Sequence, residues 1–423
     1  VLDSTHPTQV SRVLDHSIEE TVVVVSSKSG STAETDSQKR AFEGAFVAAG
    51  IDPTTRIVIV TDPGSPLDVA SREAGYRVFN ADPTVGGRYS ALTAFGLVPS
   101  GLAGVDIAEL LDQADEVLPG LISDDESNAG LVLGAAMAGT NPRRDKIAIV
   151  SNKSSIVGIG DWIEQLVAES TGKEGSGVLP VVVEPGAADL EANDVLPIHI
   201  VDNETTPAGD AVSVHATLGA QLLIWEVATA VAGHLLGTNP FDQPDVESAK
   251  IAARAFLDGT PEAAVPFAVD GDVELTAVGY SPAATSVSAA VRELLEALPA
   301  DGYVSVHAYA DREAGSGLES IRGTLAAVTG GRPTTFGWGP RFLHSTGQYH
   351  KGGPEQGVFL QIVERATEDR EVPGRPFTFG TLIAAQARGD AQVLADHHRP
   401  VLTLTVSGST ALDRVISEIK GLS

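Results

Sequence analysis

Cysteine is absent from the 423 residues of the chain, and methionine occurs once, as Met137. Without cysteine the protein has neither a disulfide framework nor a metal site built on thiolates. This composition fits a reducing compartment, so we expect a cytoplasmic protein.

Positively charged residues are also scarce. The 28 Lys and Arg are outnumbered by 56 Asp and Glu, which gives a net charge of −28. Such an acidic balance argues against nucleic acid and anionic membranes as partners. An anionic substrate would need a pocket that is basic locally.

The sequence lacks an obvious membrane span and a leader. The longest apolar stretch, residues 219–236, contains Glu226 and His234 and predicts a buried helix. The chain starts at Val1 without a charged and then apolar segment. Because the first residue is not methionine, we expect the natural protein to extend upstream.

Common cofactor signatures are missing as well. The sequence has no P-loop and no dinucleotide-binding fingerprint after a strand, and its His, Asp and Glu residues lack the spacing of a metal site. The pair His397 and His398 is more typical of a helix end. We therefore expect no metal and no cofactor.

What the chain does contain is a regular alternation of strand and helix patterns. Its length and its 43% hydrophobic content suit two or three domains with large cores. The alternation predicts parallel sheets with helices on both faces. We predict an α/β protein with two doubly wound parallel-sheet domains and a C-terminal α/β region, bounded as 1–138, 139–260 and 261–423.

The first candidate site is the polar loop of residues 26–32, Ser-Ser-Lys-Ser-Gly-Ser-Thr, between a predicted strand and a predicted helix. Ser31 and Glu34 form a capping-box pattern, so a helix N-terminus with free N–H groups is expected here. Such a terminus is suited to phosphate, although an ordinary capped loop has the same pattern. Further donors in the loop are Ser27, Lys28, Ser29 and Thr32.

Two more segments offer a cation and a carboxylate. Gly86 and Gly87 allow Arg88 to approach a ligand closely, and a fixed guanidinium suits charge that develops on an oxygen. Glu169 falls in the last turn of a helix that Gly172 is predicted to end. The helix dipole disfavours a carboxylate there, which suits a proton-carrying base. A surface arginine and a solvated glutamate are the alternatives.

Another helix is predicted to start within residues 239–250, Asn-Pro-Phe-Asp-Gln-Pro-Asp-Val-Glu-Ser-Ala-Lys. Asp242 suits the helix cap and Pro244 the first turn. Gln243 and Lys250 lie seven positions apart, so two helical turns bring both onto one face. They would clamp an anionic, hydroxyl-rich ligand; a surface helix with a solvated lysine is the alternative.

The last candidate is the histidine segment, residues 341–353. Its His344 and His350 lie among glycines and hydroxyl groups, and histidine exchanges protons near neutral pH. A hydrogen-bonded structural histidine is the alternative for each.

Together these motifs resemble the glucose-6-phosphate isomerase family, which is built from sugar isomerase (SIS) domains. The resemblance is carried by the Ser-Lys-Ser loop, the Gly-Gly-Arg turn, the Glu-Ser-Thr-Gly-Lys helix end, the Gln/Lys helix and the His-Ser-Thr-Gly-Gln segment. It implies reversible isomerisation of glucose 6-phosphate and fructose 6-phosphate, by ring opening and a cis-enediol(ate), without metal or cofactor.

The resemblance also implies roles for single residues. Arg88 would stabilise the enediolate and Glu169 would carry the proton between C2 and C1. His344 and Lys250 would assist ring opening. The sugar phosphate would be held by Ser27, Lys28, Ser29 and Thr32, with Gln243 nearby. Because the family's sites are commonly completed by a second subunit, we expect a homodimer.

The order of the motifs departs from the usual one, since the histidine segment follows Lys250 instead of preceding it. His215, which lies where the segment usually falls, is the reserve candidate for ring opening. The late segment looks most like the isomerase half of fusions with transaldolase, so we expect a transaldolase domain upstream. A glycine- and serine-rich loop of the family is not found, so residues 1–423 alone are expected to show weak or no activity.

Two other functions fit part of the pattern. A related sugar-phosphate isomerase that also accepts mannose 6-phosphate would use the same loop and base. A non-catalytic sugar-phosphate sensor would need the loop but would have no use for Glu169.

Overall fold

The structure is a computed structural model that describes residues 1–30, 32–207, 209–244, 251, 254, 256–257 and 265–422. Two residues discussed above, Ser31 and Lys250, lie outside the described residues. Within the described part of the chain, the strands form three sheets.

The first sheet consists of β1 (Val23–Ser26), β2 (Ile57–Thr61) and β3 (Arg77–Asn80), which pair in parallel in that order. β1 and β2 are runs rich in β-branched residues, which favour extended structure. Ligands of such folds bind at the carboxyl ends of the strands, where the loop after β1 lies. The accompanying helices are α1 (Pro7–Leu14), α2 (Ala33–Ala48), α3 (Pro66–Glu73) and α4 (Ala94–Leu102).

The second sheet has the order β5-β4-β6-β7 and is parallel throughout. Its strands are β4 (Lys146–Lys153), β5 (Leu179–Val182), β6 (Val195–Val201) and β7 (Val212–Val214). Asp106 and Asn128 cap two of its helices by accepting hydrogen bonds from backbone N–H groups. The helices are α5 (Ile107–Leu121), α6 (Ala129–Ala138), α7 (Ile159–Thr171) and α8 (Leu218–Leu236).

Helix α8 is long and apolar enough to cross a membrane when judged by length and composition. It contacts α5, α6 and α7, and Trp225 and Ala228 are fully buried in the core that these helices share with the second sheet. It is therefore the buried helix that the apolar stretch predicted.

The third sheet has the order β11-β10-β12-β13-β9-β8. The first four strands in this order run parallel, and β9 pairs antiparallel with both of its neighbours. The strands are β8 (Ala268–Asp270), β9 (Val273–Val278), β10 (Tyr303–Tyr309), β11 (Thr334–Trp338), β12 (Gly357–Arg365) and β13 (Val401–Ser407). The helices are α9 (Val287–Glu296), α10 (Ile321–Val328), α11 (Gly347–Gly352), α12 (Phe379–Asp396) and α13 (Ser409–Lys420).

The predicted fold class is confirmed, since the protein is α/β with parallel sheets. The antiparallel pair β8 and β9 was not predicted. The three-residue β8 is too short to give a clear pattern, and the hairpin turns at Gly271, whose φ of +61° favours glycine. The bounds of the three predicted domains stay predictions.

The third sheet shares a core with the second. Tyr303 and Tyr349 are buried in one apolar cluster with Val150 and Leu179. A Cβ on Gly172 would lie only 2.6 Å from the Cβ of Tyr349, so the glycine lets the end of α7 touch α11. This close contact brings the histidine segment to the end of the helix that carries Glu169.

Candidate active site

The loop between β1 and α2 has the predicted position at a helix N-terminus. Helix α2 begins directly after Thr32, whose side chain makes no capping hydrogen bond. Ser27 Oγ accepts from the Gly30 N–H at 3.1 Å, and Gly30 has a φ of +74°. A Cβ at Gly30 would also collide with Leu67, so the turn requires glycine. The loop therefore lies at a helix N-terminus, which is a common position for phosphate binding.

Lys28 has partners of its own in this structure. Its Nζ lies 2.9 Å from Asp62 Oδ2 and donates to the Val85 carbonyl at 2.8 Å. A phosphate on the loop would therefore share the ammonium group with Asp62. Sequence reasoning did not identify Asp62, although it directly follows β2 in the same way that the loop follows β1.

Arg88 lies in a short 3-10 turn, Gly87–Tyr89, and is 5% exposed. Its guanidinium donates to Ser170 Oγ at 2.7 Å and to the carbonyls of Pro240 and Asp242 at 2.6 and 2.8 Å. It also donates to Gln243 Oε1 at 2.8 Å. Arg88 is thus a fixed cation and not the surface arginine of the alternative interpretation.

Glu169 lies in the last turn of α7, as predicted, and Gly172 caps the helix. The side chain of Glu169 is 10% exposed, and its Oε1 lies 3.3 Å from Arg88 Nη1. One turn earlier, Gln165 Nε2 donates to Glu169 Oε2 at 3.3 Å. The proposed base and the proposed cation are therefore in direct contact, although they are far apart in sequence.

The turn that contains Gln243 is held by two cations. Arg88 binds its carbonyls, and Lys173 Nζ donates to Asp242 Oδ1 at 2.7 Å and also to the Asn239 carbonyl. Burial lowers the pKa of Lys173, and Asp242 partly offsets this effect. Pro244 is helical, while Lys250, the second half of the predicted clamp, lies outside the described residues.

The histidine segment lies beside the helix that carries Glu169. His344 ends the 3-10 turn Arg341–His344, and its Nε2 lies 2.9 Å from Glu34 Oε1, in the first turn of α2. Its carbonyl accepts from Gln165 Nε2 at 2.8 Å. An ionised Glu34 accepts only, so with an ionised Glu34 this contact uses the Nε2–H of the ring as its donor. The structure therefore brings His344 beside the Glu169 helix.

The other candidate histidines lie elsewhere. His350 is fully buried, and its ring nitrogens form hydrogen bonds with Tyr303 Oη at 2.9 Å and Ser305 Oγ at 3.2 Å. These contacts are those of a hydrogen-bonded structural histidine. His215 is exposed near Asp202. Within the described residues, no hydrogen bond or ion pair joins His215 to Glu169.

Besides Asp62, two residues at the site were missed. Glu34 was interpreted only as part of a capping box, and the long-range contact with His344 gave no local pattern. Gln165 had a weak sign, because a residue four positions before Glu169 lies on the same helical face. The parts of the chain that the structure describes contain no group of three or more His, Asp or Glu that could hold a metal ion.

The fold and this geometry define a class of protein. A buried carboxylate, a fixed guanidinium and a histidine hydrogen-bonded to a carboxylate meet beside a helix N-terminus at the edge of a parallel sheet. Such groups can exchange protons and stabilise an oxyanion. This set of groups is suited to acid-base catalysis on an anionic substrate, and it makes the site a candidate active site.

Comparison with known proteins specifies the class further. No family model matches. The chain is 29% identical over 326 residues to a probable glucose-6-phosphate isomerase of Haloarcula marismortui, an alignment that covers 63% of this chain and 73% of that protein. It is 31% identical over 320 residues to the glucose-6-phosphate isomerase of Thermosynechococcus vestitus, which covers 60% of each.

A solved structure is similar in fold. The crystal structure of a hypothetical protein from Thermus thermophilus aligns with a TM-score of 0.54 at 24% identity, over 61% of this chain and 77% of that one. This alignment supports the α/β fold alone. The sequence relatives confirm the recognition: the chain is a relative of the glucose-6-phosphate isomerases, and they support isomerase function in this broad sense.

Proposed function

We propose that the protein interconverts glucose 6-phosphate and fructose 6-phosphate. The observation that carries this proposal is the contact between Arg88 and Glu169, which joins two separate motifs in one buried pair at 3.3 Å. An aldose-ketose isomerase needs a base that moves a proton between two carbons and a cation beside the oxygen that becomes charged. The relatives named above support the same reaction.

In the proposed mechanism, His344 and Lys250 open the sugar ring. Nδ1 of His344 accepts or returns the proton that ring opening moves between oxygens, while Glu34 holds the opposite nitrogen. Gln165 fixes the backbone of the histidine with its amide. Lys250 is assigned to this step by its place in the motif.

Glu169 then carries the proton between C2 and C1 through a cis-enediol(ate). Burial keeps competing water away from the carboxylate, and Gln165 and Arg88 fix its orientation. Arg88 stabilises the negative charge on the enediolate oxygen. Because four neutral oxygens also hold the guanidinium, it does not have to move during the reaction.

The phosphate of the sugar is assigned to the N-terminus of α2. Backbone N–H groups of the first turn and loop hydroxyls would donate to it, and Lys28 would add a charge that it shares with Asp62. Gln243, which accepts a hydrogen bond from Arg88, is assigned to substrate binding near the phosphate. The residues of the loop that take part in this proposal are Ser27, Lys28, Ser29 and Thr32.

The test is a coupled isomerase assay on the full-length gene product that compares the wild type with Glu169→Gln. Removal of a general base is expected to lower kcat by about 10²- to 10⁴-fold with little change in substrate affinity. Glu191→Gln changes an exposed glutamate and is the matched control. An unchanged kcat in Glu169→Gln would refute the proposal.

Substrate breadth is tested in the same assay with mannose 6-phosphate, because a broader isomerase would use the same loop and base. A sensor would show binding without turnover. The upstream transaldolase domain, the homodimer and the cytoplasmic location stay predictions.

A further inference from the structure

A cleft of about 390 Å³, which we call the Arg399 cleft, lies between the end of α7 and the C-terminal part of the chain. Its walls come from the segment after α7, the turn that precedes Gln243, the end of α11 and the segment after α12. The described residues that line it do not include Arg88, Glu169 or His344. The Arg399 cleft is therefore separate from the proposed active site, and its volume is in the range of clefts that bind small molecules.

The charges that line the Arg399 cleft differ in burial. Three cations, Lys173, Lys351 and Arg399, are each at most 3% exposed. Lys351 pairs with Asp390 at 2.6 Å, and Lys173 pairs with Asp242 at 2.7 Å. The acidic residues that line the cleft are all exposed, namely Glu174, Asp242 and Glu355. Because water screens exposed charges more than buried ones, the interior of the cleft is locally basic in a protein of net charge −28.

Arg399 differs from the two lysines, because its hydrogen-bond partners are neutral. Nε donates to the His350 carbonyl at 3.2 Å, and Nη2 donates to the Gly353 carbonyl at 2.8 Å. Its Nη1 is buried and has no hydrogen-bond partner among the described residues. Buried charges and buried donors are normally paired, since an unpaired one is costly. Arg399 thus lines a cleft with an unused donor and with no carboxylate among its described hydrogen-bond partners.

We propose that the Arg399 cleft binds a small oxyanion, the phosphate or carboxylate group of a small molecule, on the guanidinium of Arg399. The planar guanidinium is suited to oxygens of this kind, and the anion would supply the missing negative charge. Lys173 lines the same cleft and donates to Asp242 Oδ1 in the turn before Gln243. A bound anion would therefore lie beside that turn. The inference goes beyond the proposed function and does not rest on it.

A fluorine label at the mouth of the cleft measures binding where it is proposed. Residues 1–423 contain no cysteine, so Glu355→Cys adds a thiol at an exposed lining position, and a trifluoromethyl reagent labels it. Full-length protein without the new cysteine is treated in the same way and gives the background. The fluorine NMR shift is followed while inorganic phosphate, or acetate in a second series, replaces chloride at constant ionic strength. We expect a saturable shift, and the anion that binds more tightly identifies the preferred group.

Two variants in the labelled protein test the role of the cleft. Arg399→Gln removes the charge and should weaken binding by about 10- to 100-fold. Because Arg399 also holds the carbonyls at the end of α11, circular dichroism checks that this variant is folded. His397→Glu changes a half-buried lining residue, places a carboxylate at the cleft and should also weaken binding. Gln392→Glu adds the same charge at an exposed position of α12 that does not line the cleft, and it should bind as the wild type does.

The absence of a saturable shift with both anions would overturn the inference. A shift that persists unchanged in Arg399→Gln and His397→Glu would also overturn it, because the anion would then bind elsewhere, for example at the N-terminus of α2. The measurement does not use catalysis. An inactive wild type that still shows the shift dependent on Arg399 would therefore contradict the proposed function alone.

Discussion

Asp390→Asn is predicted to destabilise the protein strongly, because Asp390 neutralises a lysine that has no access to water. Asp390 Oδ1 lies 2.6 Å from Lys351 Nζ, and both side chains are 0% exposed. Its Oδ2 lies 3.1 Å from His307 Nδ1 and accepts from Gln361 Nε2 at 3.2 Å. These contacts fix α11, which follows His344, to α12 and the third sheet.

The expected magnitude follows from the burial of the pair. Asparagine keeps an acceptor for His307 and Gln361, so the main loss is the negative charge. An unpaired cation at a fully buried position costs about 3–5 kcal/mol of unfolding free energy. Lys351→Met alone should cost a similar amount, whereas the double variant, with no buried charge, should lose much less than the sum of the two.

Acid should weaken the same interaction. Burial by itself would raise the pKa of Asp390, but Lys351 and His307 outweigh burial and hold the pKa far below its usual range. A carboxyl whose folded pKa is depressed stabilises the fold above its unfolded pKa of about 3.9. That contribution is lost as the pH falls below this value, and Asp390→Asn should not show the loss.

Urea denaturation at pH 7 and at acidic pH, followed by circular dichroism, measures these effects as changes in the midpoint at constant slope. Asp396→Asn, an exposed change on the same helix, is the control and should stay within about 0.5 kcal/mol of the wild type. A loss below about 1 kcal/mol for Asp390→Asn, or strictly additive losses in the double variant, would refute the reasoning.

Two further predictions concern other carboxyl groups. Glu34→Gln should lower kcat about tenfold, because His344 loses a charged acceptor that fixes its proton on Nε2; Glu43→Gln on the same helix is the control, and equal kcat values would contradict the role. Burial raises the pKa of Glu226 to about 8. A glutamate whose pKa is raised in the folded state stabilises the fold at pH values below its unfolded pKa of about 4.3. This stabilisation is lost as the pH rises through 8. In urea unfolding at pH 9, Glu226→Gln should therefore be more stable than the wild type by on the order of 2 kcal/mol. Parallel pH profiles would refute this.

The sequence predicted those parts of the site that have local causes. The end of α7 was predictable because Gly172 follows an apolar helical pattern, and the start of α2 because a polar loop separates a strand from a helix. The position of Arg88 after two glycines was equally visible. What these patterns could not give is the contact of Arg88 with Glu169, since it depends on how the first and second sheets pack.

The choice of the ring-opening histidine shows most clearly what the sequence could not predict. The order of the motifs did not decide between His344 and His215 as the ring-opening histidine. The histidine segment follows the Gln/Lys helix in this sequence, whereas it usually precedes that helix. The choice depends on Gln165 and Glu34, which hold His344 from α7 and from α2. Each contact joins residues far apart in the chain, and neither residue type is unusual at its position. The packed structure shows that His344 lies beside α2 and α7, and the assignment of ring opening to it stays a proposal.

The charges around Arg88 suggest a reason for placing a guanidinium within reach of Glu169, the proposed base. The hydrogen bonds of Arg88 to Ser170, Gln243 and two carbonyls fix its position without neutralising it, and its ion-pair partner among the described residues is Glu169. In the proposed reaction, Glu169 loses its charge when it takes the proton, at the moment when the substrate becomes an enediolate. The negative charge passes from the carboxylate to the substrate while the cation stays in place. The stabilisation that Arg88 gives the carboxylate in the resting state is therefore transferred to the reacting oxygen, with no reorganisation of the side chain.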